Sequence, residues 1–259
     1  MEQAPQELVD FWNRRAKTYP RYDHTSNSYA DSVISKIQAH GLSFSGKSLL
    51  DVGAGSGQYT LKLAKLAKSV LALDLSDQML AISQQEAKNL GLTNIEYVLK
   101  PTTEFKAPER FDLVFSSMCP AIRDDLSRQW LLDSAKEAVI YLGFLDYVYP
   151  GPMPRLMEHY QVTRKLHNSG LEMEDWFKKV GENFSRYELT GQWVVNYDHQ
   201  EARHWCLTML RDFGVNQPDP IFLDECLEPF KSPDSDVYVF KSPYYVDLLI
   251  WERKNSQLK

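Results

Sequence analysis

The stretch Leu-Leu-Asp-Val-Gly-Ala-Gly-Ser-Gly at residues 49–57 decides how this chain folds. It is an apolar run that enters three alternating glycines, and Asp74 closes a second apolar run at residues 70–73. A glycine turn of this kind brings bare backbone against a ligand, and an acid that ends the next strand reaches the ligand's ribose. The two features together are typical of a nucleoside-cofactor site on a doubly wound sheet.

Strand and helix patterns alternate along the chain on both sides of this motif. Continuous apolar runs of this length are typical of parallel strands buried on both faces. Alternating strands and helices predict an α/β fold with a doubly wound, mostly parallel sheet of seven strands. The predicted strands are 48–53, 69–74, 95–99, 111–116, 138–144, 237–240 and 244–251. The last two, joined by residues 241–243, predict a terminal antiparallel hairpin.

Four segments follow from this pattern. Residues 1–45 are predicted to form an N-terminal helical cap, and residues 46–149 the cofactor-binding core. The run Pro-Gly-Pro-Met-Pro at 150–154 interrupts the alternation. It opens a mostly helical lid or substrate insertion at 150–235. Residues 236–259 are predicted to complete the sheet.

Composition excludes several classes of protein. Hydrophobic residues make up 43% of the 259 positions and charged residues 25%, which is ordinary for a soluble globular chain. A net charge of −6 gives no support to a nucleic-acid binder, which needs clustered Lys and Arg. Three scattered cysteines suit neither a disulfide framework nor a zinc site, so we expect a cytoplasmic protein without a metal. We also expect no membrane partner, because no apolar segment approaches the ~20 residues that span a bilayer.

The spacing of the glycines separates two cofactor families. They stand at 53, 55 and 57, whereas the dinucleotide fingerprint needs its third glycine at 58, where this chain has Gln. The run instead resembles the first motif of class I S-adenosylmethionine-dependent methyltransferases, which have a Rossmann-like fold. The resemblance covers residues 46–144 and the terminal hairpin. It implies S-adenosylmethionine as cofactor and S-adenosylhomocysteine as product.

The resemblance also implies roles for individual residues. Asp51 would lie near the methionine end of the cofactor, and Asp74 would accept both ribose hydroxyls. Family members often have an Asp after the third strand that contacts the adenine amine. Pro101 stands there instead, which leaves that contact to Thr102 or to a backbone group. An aromatic or basic residue near the N-terminus closes over the cofactor in many small-molecule members, and Tyr19 and Arg15 are the candidates here. The predicted cofactor residues are Tyr19, Asp51, Gly53, Ala54, Gly55, Gly57, Asp74, Leu75, Met79, Thr102, Ser116 and Ser117.

The acceptor side is less sharply defined. Met118 and Cys119 follow the fourth strand, and Asp146 and Tyr147 follow the fifth, at the end of the sheet where ligands bind. His159 lies in the insertion, where it either contacts substrate or belongs to the polar face of a lid. Cys119 is expected to line the pocket rather than to act as a nucleophile. No catalytic base is assigned, because a sulfonium is already activated and in-line methyl transfer depends mainly on positioning.

We therefore expect an enzyme that transfers a methyl group to a small-molecule acceptor, since a large lid suits a small, enclosed substrate. Two alternatives stay open: an RNA or protein methyltransferase, and a catalytically silent cofactor-binding subunit. The oligomeric state is also open, with a homodimer among the possibilities.

Overall fold

The computed structural model describes residues 6–25, 28–107, 109–163 and 168–254. Helices and strands alternate from β1 to β5, as the apolar pattern predicts, except that β4 follows β3 with no described helix between them. The elements in chain order are α1 (Gln6–Arg15), α2 (Tyr29–His40), β1 (Ser48–Val52), α3 (Thr60–Ala64), β2 (Ser69–Asp74), α4 (Asp77–Asn89), β3 (Ile95–Leu99), β4 (Phe111–Ser117), α5 (Asp125–Ser134), β5 (Ala135–Tyr147), α6 (Met153–His159), α7 (Ser169–Val180), β6 (Phe184–Tyr197), α8 (His199–Asp212), α9 (Pro220–Leu227) and β7 (Tyr238–Glu252).

The strands form one seven-stranded sheet in the order β3-β2-β1-β4-β5-β7-β6. Strands β1 to β5 pair in parallel, and the C-terminal strands are antiparallel, which confirms the predicted fold class. Val52 at the end of β1 lies opposite Leu73 of β2 and Ser116 of β4. Strand order reverses between β1 and β4, and ligands of doubly wound folds bind at such a switch point. The glycine turn leaves the sheet there.

The residues that form the antiparallel part differ from the prediction. Residues 237–240 and 244–251 were expected to be two strands. Instead, Tyr238–Glu252 is one continuous strand that lies between β5 and β6 in the sheet. Pro243 does not end β7, because its fixed φ suits an extended chain and its only loss is one N–H donor. The Ser242 hydroxyl also donates to the Val148 carbonyl at 2.5 Å, which holds this stretch in place.

The described residues pack into two compact units. The first contains the chain up to Gly143, Ser169–Tyr187 and the residues from Asp247 onward, and the second contains Phe144–Asn168 and Glu188–Val246. Helix α7, which lies within the predicted 150–235 insertion, belongs to the first unit. Its buried residues Met173, Trp176 and Phe177 join the same apolar core as the sheet. The covering role of the insertion stays a prediction.

The second unit has a core of its own. Helices α6, α8 and α9 bury apolar side chains, among them Leu156, Cys206 and Leu223, in one cluster with Phe240 of β7. Gly151 permits this packing, because a Cβ there would overlap the ring of Phe240. Among the described residues, no helix has both the length and the apolar character needed to cross a bilayer.

An ion pair between a buried carboxylate and a partly exposed guanidinium joins β6 and β7 within the first unit. Asp247 is fully buried, and the Arg186 Nε lies 2.9 Å from each of its carboxylate oxygens. Glu174 of α7 lies 3.4 Å from the same nitrogen. By contrast, Glu137 pairs with Lys47 at the surface, where it is about half exposed.

We predict that Asp247→Ala lowers the free energy of unfolding by about 2 kcal/mol, because it removes hydrogen bonds between charged groups. The loss stays below that of a fully buried pair, since the Arg186 that remains is 36% exposed and keeps Glu174 as a partner. The control, Glu137→Ala, should cost less than about 1 kcal/mol, because exposed pairs contribute little. Urea denaturation of both variants provides the measurement, and equal losses would contradict the prediction.

Candidate cofactor site

The glycine turn is packed tightly at both of its ends. Gly53 has a φ of 74°, and a Cβ there would fall 2.5 Å from the Cys119 Sγ. Gly57 has a φ of 89°, and a Cβ there would overlap the side chain of Ser83. Side chains at either position would therefore force the turn away from its neighbours. The middle glycine, Gly55, keeps its backbone accessible.

Asp74 ends β2 beside this turn. Its carboxylate accepts the Gly55 N–H at 2.8 Å on one oxygen and the Ser76 N–H at 2.9 Å on the other. Burial raises the pKa of Asp74, and these backbone hydrogen bonds oppose the shift. A carboxylate has about four acceptor positions, so both oxygens retain capacity for ligand hydroxyls.

Asp51, in β1, is the second acid of the site. It is 2% exposed and accepts a hydrogen bond from the Thr60 hydroxyl at 2.5 Å. Burial raises the pKa of Asp51 to about 7, the Thr60 hydrogen bond opposes that shift, and the charge of Asp74 adds to it. A positively charged ligand beside these acids would favour their ionised forms. Sequence reasoning did not find Thr60, whose only signal is its place at the start of α3.

The segment after α1 lies over the turn, and the closure of Tyr19 or Arg15 over the cofactor stays a prediction. The Tyr19 ring lies 3.8 Å from the position that a Cβ on Gly55 would take. Burial raises the pKa of Tyr19; the charge of Arg15 opposes the shift, while Asp74 and Cys119 add to it. The charges of Asp74 and Cys119 thus act on the Tyr19 hydroxyl.

Two hydrogen bonds hold that segment in place, and the sequence did not reveal either. The Ser56 hydroxyl of the turn donates to the Pro20 carbonyl at 2.7 Å. The Ser76 hydroxyl donates to the Asn13 side-chain oxygen at 2.6 Å. The N-terminal segment is thus tied to both loops that follow β1 and β2.

The family match follows from the same region of the chain. Residues 49–139 match the family model described as "Methyltransferase domain". This segment, about a third of the chain, is similar to the class I S-adenosylmethionine-dependent methyltransferases. It runs from β1 into β5 and contains the glycine turn, Asp51, Asp74 and the loop after β4.

Individual relatives have low sequence identity to this chain. It is 30% identical over 114 residues to the mitochondrial ubiquinone biosynthesis O-methyltransferase of Schizosaccharomyces pombe, a match that covers 41% of this chain and 42% of that protein. It is 28% identical over 184 residues to ribosomal RNA small subunit methyltransferase G of Laribacter hongkongensis, covering 68% of this chain and 84% of that protein. The chain thus spans less than half the length of the first of these relatives.

A solved structure shares the fold of this chain. The YjhP protein of E. coli superposes with a TM-score of 0.53 at 15% identity, covering 94% of this chain and 99% of that one. Identity this low carries information on the fold alone.

The residues predicted at the adenine end occupy two neighbouring turns. Leu75 is half-buried directly after Asp74, and Met79 is buried in the first turns of α4. Thr102 is half-buried in the turn after β3, which the Lys100 N–H ties to the Asp74 carbonyl at 2.9 Å. Their contacts with adenine stay predictions.

The loop after β4 completes the site from the other side of β1. The buried Ser116 donates to the Val52 carbonyl at 3.3 Å, and the half-buried Ser117 ends the strand. Met118 has a φ of 51°, which is uncommon for a residue with a side chain, and its N–H donates to the Leu142 carbonyl at 2.8 Å. Backbone held in such a conformation is frequent at functional sites.

Cys119 is not placed to be a nucleophile. Its thiol is buried, and that burial raises the pKa of Cys119 to about 12. The reactive form of cysteine is the thiolate, which such an environment disfavours. This supports its expected role as a lining residue. No cluster of three or more His, Cys, Asp or Glu that would hold a metal occurs in the described part of the chain.

The other predicted acceptor residues lie in the second unit. Asp146 accepts the Tyr147 N–H at 2.8 Å, and the Tyr147 ring meets the Tyr149 ring edge-on at 5.0 Å. His159 stacks on Phe222 with ring centroids 3.9 Å apart. These contacts explain how the side chains are held, and their acceptor role stays a prediction.

The raised pKa of Asp51 predicts a pH-dependent stability. Between its unfolded pKa of about 3.9 and its folded pKa of about 7, the folded state holds more protons, so stability falls as pH rises. Asp51→Asn removes that pH-dependent loss of stability. The free energy of unfolding of the variant, relative to that of wild type, should therefore rise between about pH 4 and about pH 8, by at most about 4 kcal/mol.

Asp112→Asn is the control, because the pKa of Asp112 is shifted in the opposite direction from that of Asp51. The Ser48 N–H, 2.7 Å from its carboxylate, holds the pKa of Asp112 below its usual range. Wild type should be the more stable protein at neutral pH, and that advantage should vanish as pH falls below about 4. Denaturant unfolding of the ligand-free proteins across this range measures both effects. A constant difference between Asp51→Asn and wild type would show that Asp51 ionises normally.

Proposed function

We propose that this chain binds S-adenosylmethionine at the glycine turn and transfers its methyl group to a small-molecule acceptor, leaving S-adenosylhomocysteine. The observation that carries the proposal is the Asp74 carboxylate, held by the Gly55 N–H beside the buried Asp51. Few ligands suit a buried acid, a half-buried acid and a glycine turn at once. A cationic nucleoside does, and S-adenosylmethionine is the methyl donor of the family that residues 49–139 resemble.

The residues present fit this cofactor. Asp74 would accept the ribose hydroxyls with its remaining acceptor positions. Asp51, whose ionised form is penalised by burial, would gain from the positively charged methionine end. Tyr19 would shield this part of the site from water. When bound, the cofactor supplies a methyl group already activated by a sulfonium, so the protein's task is alignment and exclusion of solvent.

A small acceptor is favoured over RNA by charge. The net charge of −6 gives the chain no basic excess with which to neutralise phosphates. The match to a protein named for ubiquinone biosynthesis is compatible with a small-molecule acceptor. We propose no identity for that acceptor and no catalytic base. The cytoplasmic setting also stays a prediction.

RNA is the second candidate, because the match to a ribosomal RNA methyltransferase covers the larger share of both chains. Methyl transfer to total RNA, with an affinity that falls steeply as salt is raised, would favour that reading. Cofactor binding without turnover on either metabolite or RNA pools would favour a catalytically silent subunit.

Calorimetric titration tests the cofactor directly. We expect S-adenosylmethionine and S-adenosylhomocysteine to bind with one site per chain, and NAD not to bind, because the turn lacks the glycine spacing that receives a pyrophosphate. Binding of NAD with no binding of the two adenosyl compounds would refute the proposal.

Asp74→Ala tests the residue that carries the proposal. We expect S-adenosylmethionine affinity to fall by more than about tenfold, because the change removes hydrogen bonds to a charged acceptor. Asp77→Ala is the matched control, since Asp77 lies three residues away on the exposed first turn of α4. Circular dichroism verifies that both variants are folded. Equal affinities for the two variants would remove Asp74 from the site.

A further inference from the structure

The neighbouring strands give the buried Asp51 no polar side chain at its own level of the sheet. Its register partners are Ala72 of β2 and Phe115 of β4, and both are apolar. Paired residues of parallel strands direct their side chains to the same face, so neither partner can donate to the carboxylate. Among the described residues, the Thr60 hydroxyl is the one side-chain donor to Asp51. The buried carboxylate thus depends on α3.

The start of α3 is fixed on both sides of Thr60. On one side, the Tyr59 ring packs on the Phe115 ring of β4, with the centroids 4.8 Å apart. On the other, the Leu61 N–H donates to the Gly57 carbonyl at 3.0 Å. Thr60 itself is fully buried, and a β-branched side chain has few χ1 rotamers. Its hydroxyl is therefore held towards the carboxylate before any ligand binds.

The hydrogen bond between Thr60 and Asp51 has the length expected for an ionised acceptor. Its oxygens are 2.5 Å apart, which suits a hydroxyl that donates to a carboxylate, whereas neutral oxygens usually lie about 2.7–2.8 Å apart. The bond uses Oδ2, and Oδ1 accepts no hydrogen bond from a described residue. One oxygen is thus satisfied by the protein, and the other keeps its capacity for a cationic group.

We infer that Thr60 is a positioning residue for the methyl donor, whose hydroxyl keeps Asp51 ionised and oriented so that Oδ1 receives the positively charged methionine end. This inference rests on the proposed function, because it takes S-adenosylmethionine as the ligand. Thr60 acts through Asp51. Its effect should therefore appear in cofactor affinity and in the pH dependence of that affinity, and it should vanish when residue 51 cannot ionise.

Other titratable groups also surround Asp51, and the test must separate them from Thr60. They are Asp74 of β2, Tyr97 of β3, Cys119 after β4 and Lys62 of α3. Burial raises the pKa of Tyr97 and raises that of Cys119 to about 12, so both stay neutral up to about pH 9. Lys62 is paired with a carboxylate of α2 at 2.9 Å. Asp74 remains, so every variant compared below retains it.

Calorimetric titration with S-adenosylmethionine between about pH 5 and about pH 8 tests the inference. Thr60→Val keeps the shape of the side chain and removes the donor. It should weaken binding at pH 7 by more than about tenfold, because a hydrogen bond to a charged group is lost. Binding should also set in at a higher pH than in wild type, because loss of the donor raises the pKa of Asp51.

Two variants control for the loss of a threonine. Thr60→Ser keeps the hydroxyl and should bind within about threefold of wild type. Thr208→Val removes a hydroxyl that donates to the His204 carbonyl within α8 at 2.9 Å, and it should bind as wild type does.

A double-mutant cycle shows whether Thr60 acts through Asp51. Combined with Asp51→Asn, Thr60→Val should change the affinity by less than about threefold, because the two residues act as one unit. A loss of tenfold in that background would overturn the inference, as would equal affinities of wild type and Thr60→Val. Absence of S-adenosylmethionine binding to wild type would instead refute the proposed function, and this inference with it.

If Thr60→Val does not fold, nuclear magnetic resonance of wild type decides. The Thr60 hydroxyl proton, shielded by burial, should shift downfield as the Asp51 carboxyl carbon ionises. Addition of S-adenosylmethionine should move that titration to lower pH, because a cation favours the carboxylate. Two signals that titrate independently would contradict the assigned role.

Discussion

Two carboxylates, the buried Asp51 and the half-buried Asp74, lie at the carboxyl ends of neighbouring parallel strands, and the surrounding structure supplies hydrogen bonds to both. Ionised carboxylates out of water are costly unless hydrogen bonds satisfy them. Thr60 donates to the first, and the backbone of Gly55 and Ser76 to the second. In the ligand-free site, burial therefore disfavours the ionised forms of both acids, and a cationic ligand would favour them. The same constraint explains why the turn is built from glycine: only a close backbone brings its N–H to Asp74.

Ser76 links three parts of this arrangement. Its N–H donates to Asp74, its hydroxyl accepts the Met79 N–H as the N-cap of α4, and the same hydroxyl donates to Asn13. A single residue thus starts a helix, helps to hold Asp74 and docks the N-terminal segment that carries Tyr19. Disturbing any one of these contacts would disturb the others, because they share the same few atoms.

The parts of the fold that the sequence predicted are those with a local cause. The apolar runs of β1 and β2, the glycines and the acid that follows each strand are read within a few residues, and these positioned the site. Strand β6 was not assigned to the sheet, because about 40 residues and two helices separate it from β7 and no turn signal joins them. Thr60 and Asn13 were missed for a related reason, since each acts through a hydrogen bond to a distant segment.

The contact between Gly53 and Cys119 joins two loops that are otherwise independent. The Sγ of Cys119 already occupies the volume that a Cβ on residue 53 would need. The turn that follows β1 and the loop that follows β4 therefore cannot evolve separately: a larger side chain at 119 would displace the glycine turn, even with the glycine itself unchanged. On the proposed function, a substitution at position 119 made to change acceptor preference would therefore change the affinity for the methyl donor as well.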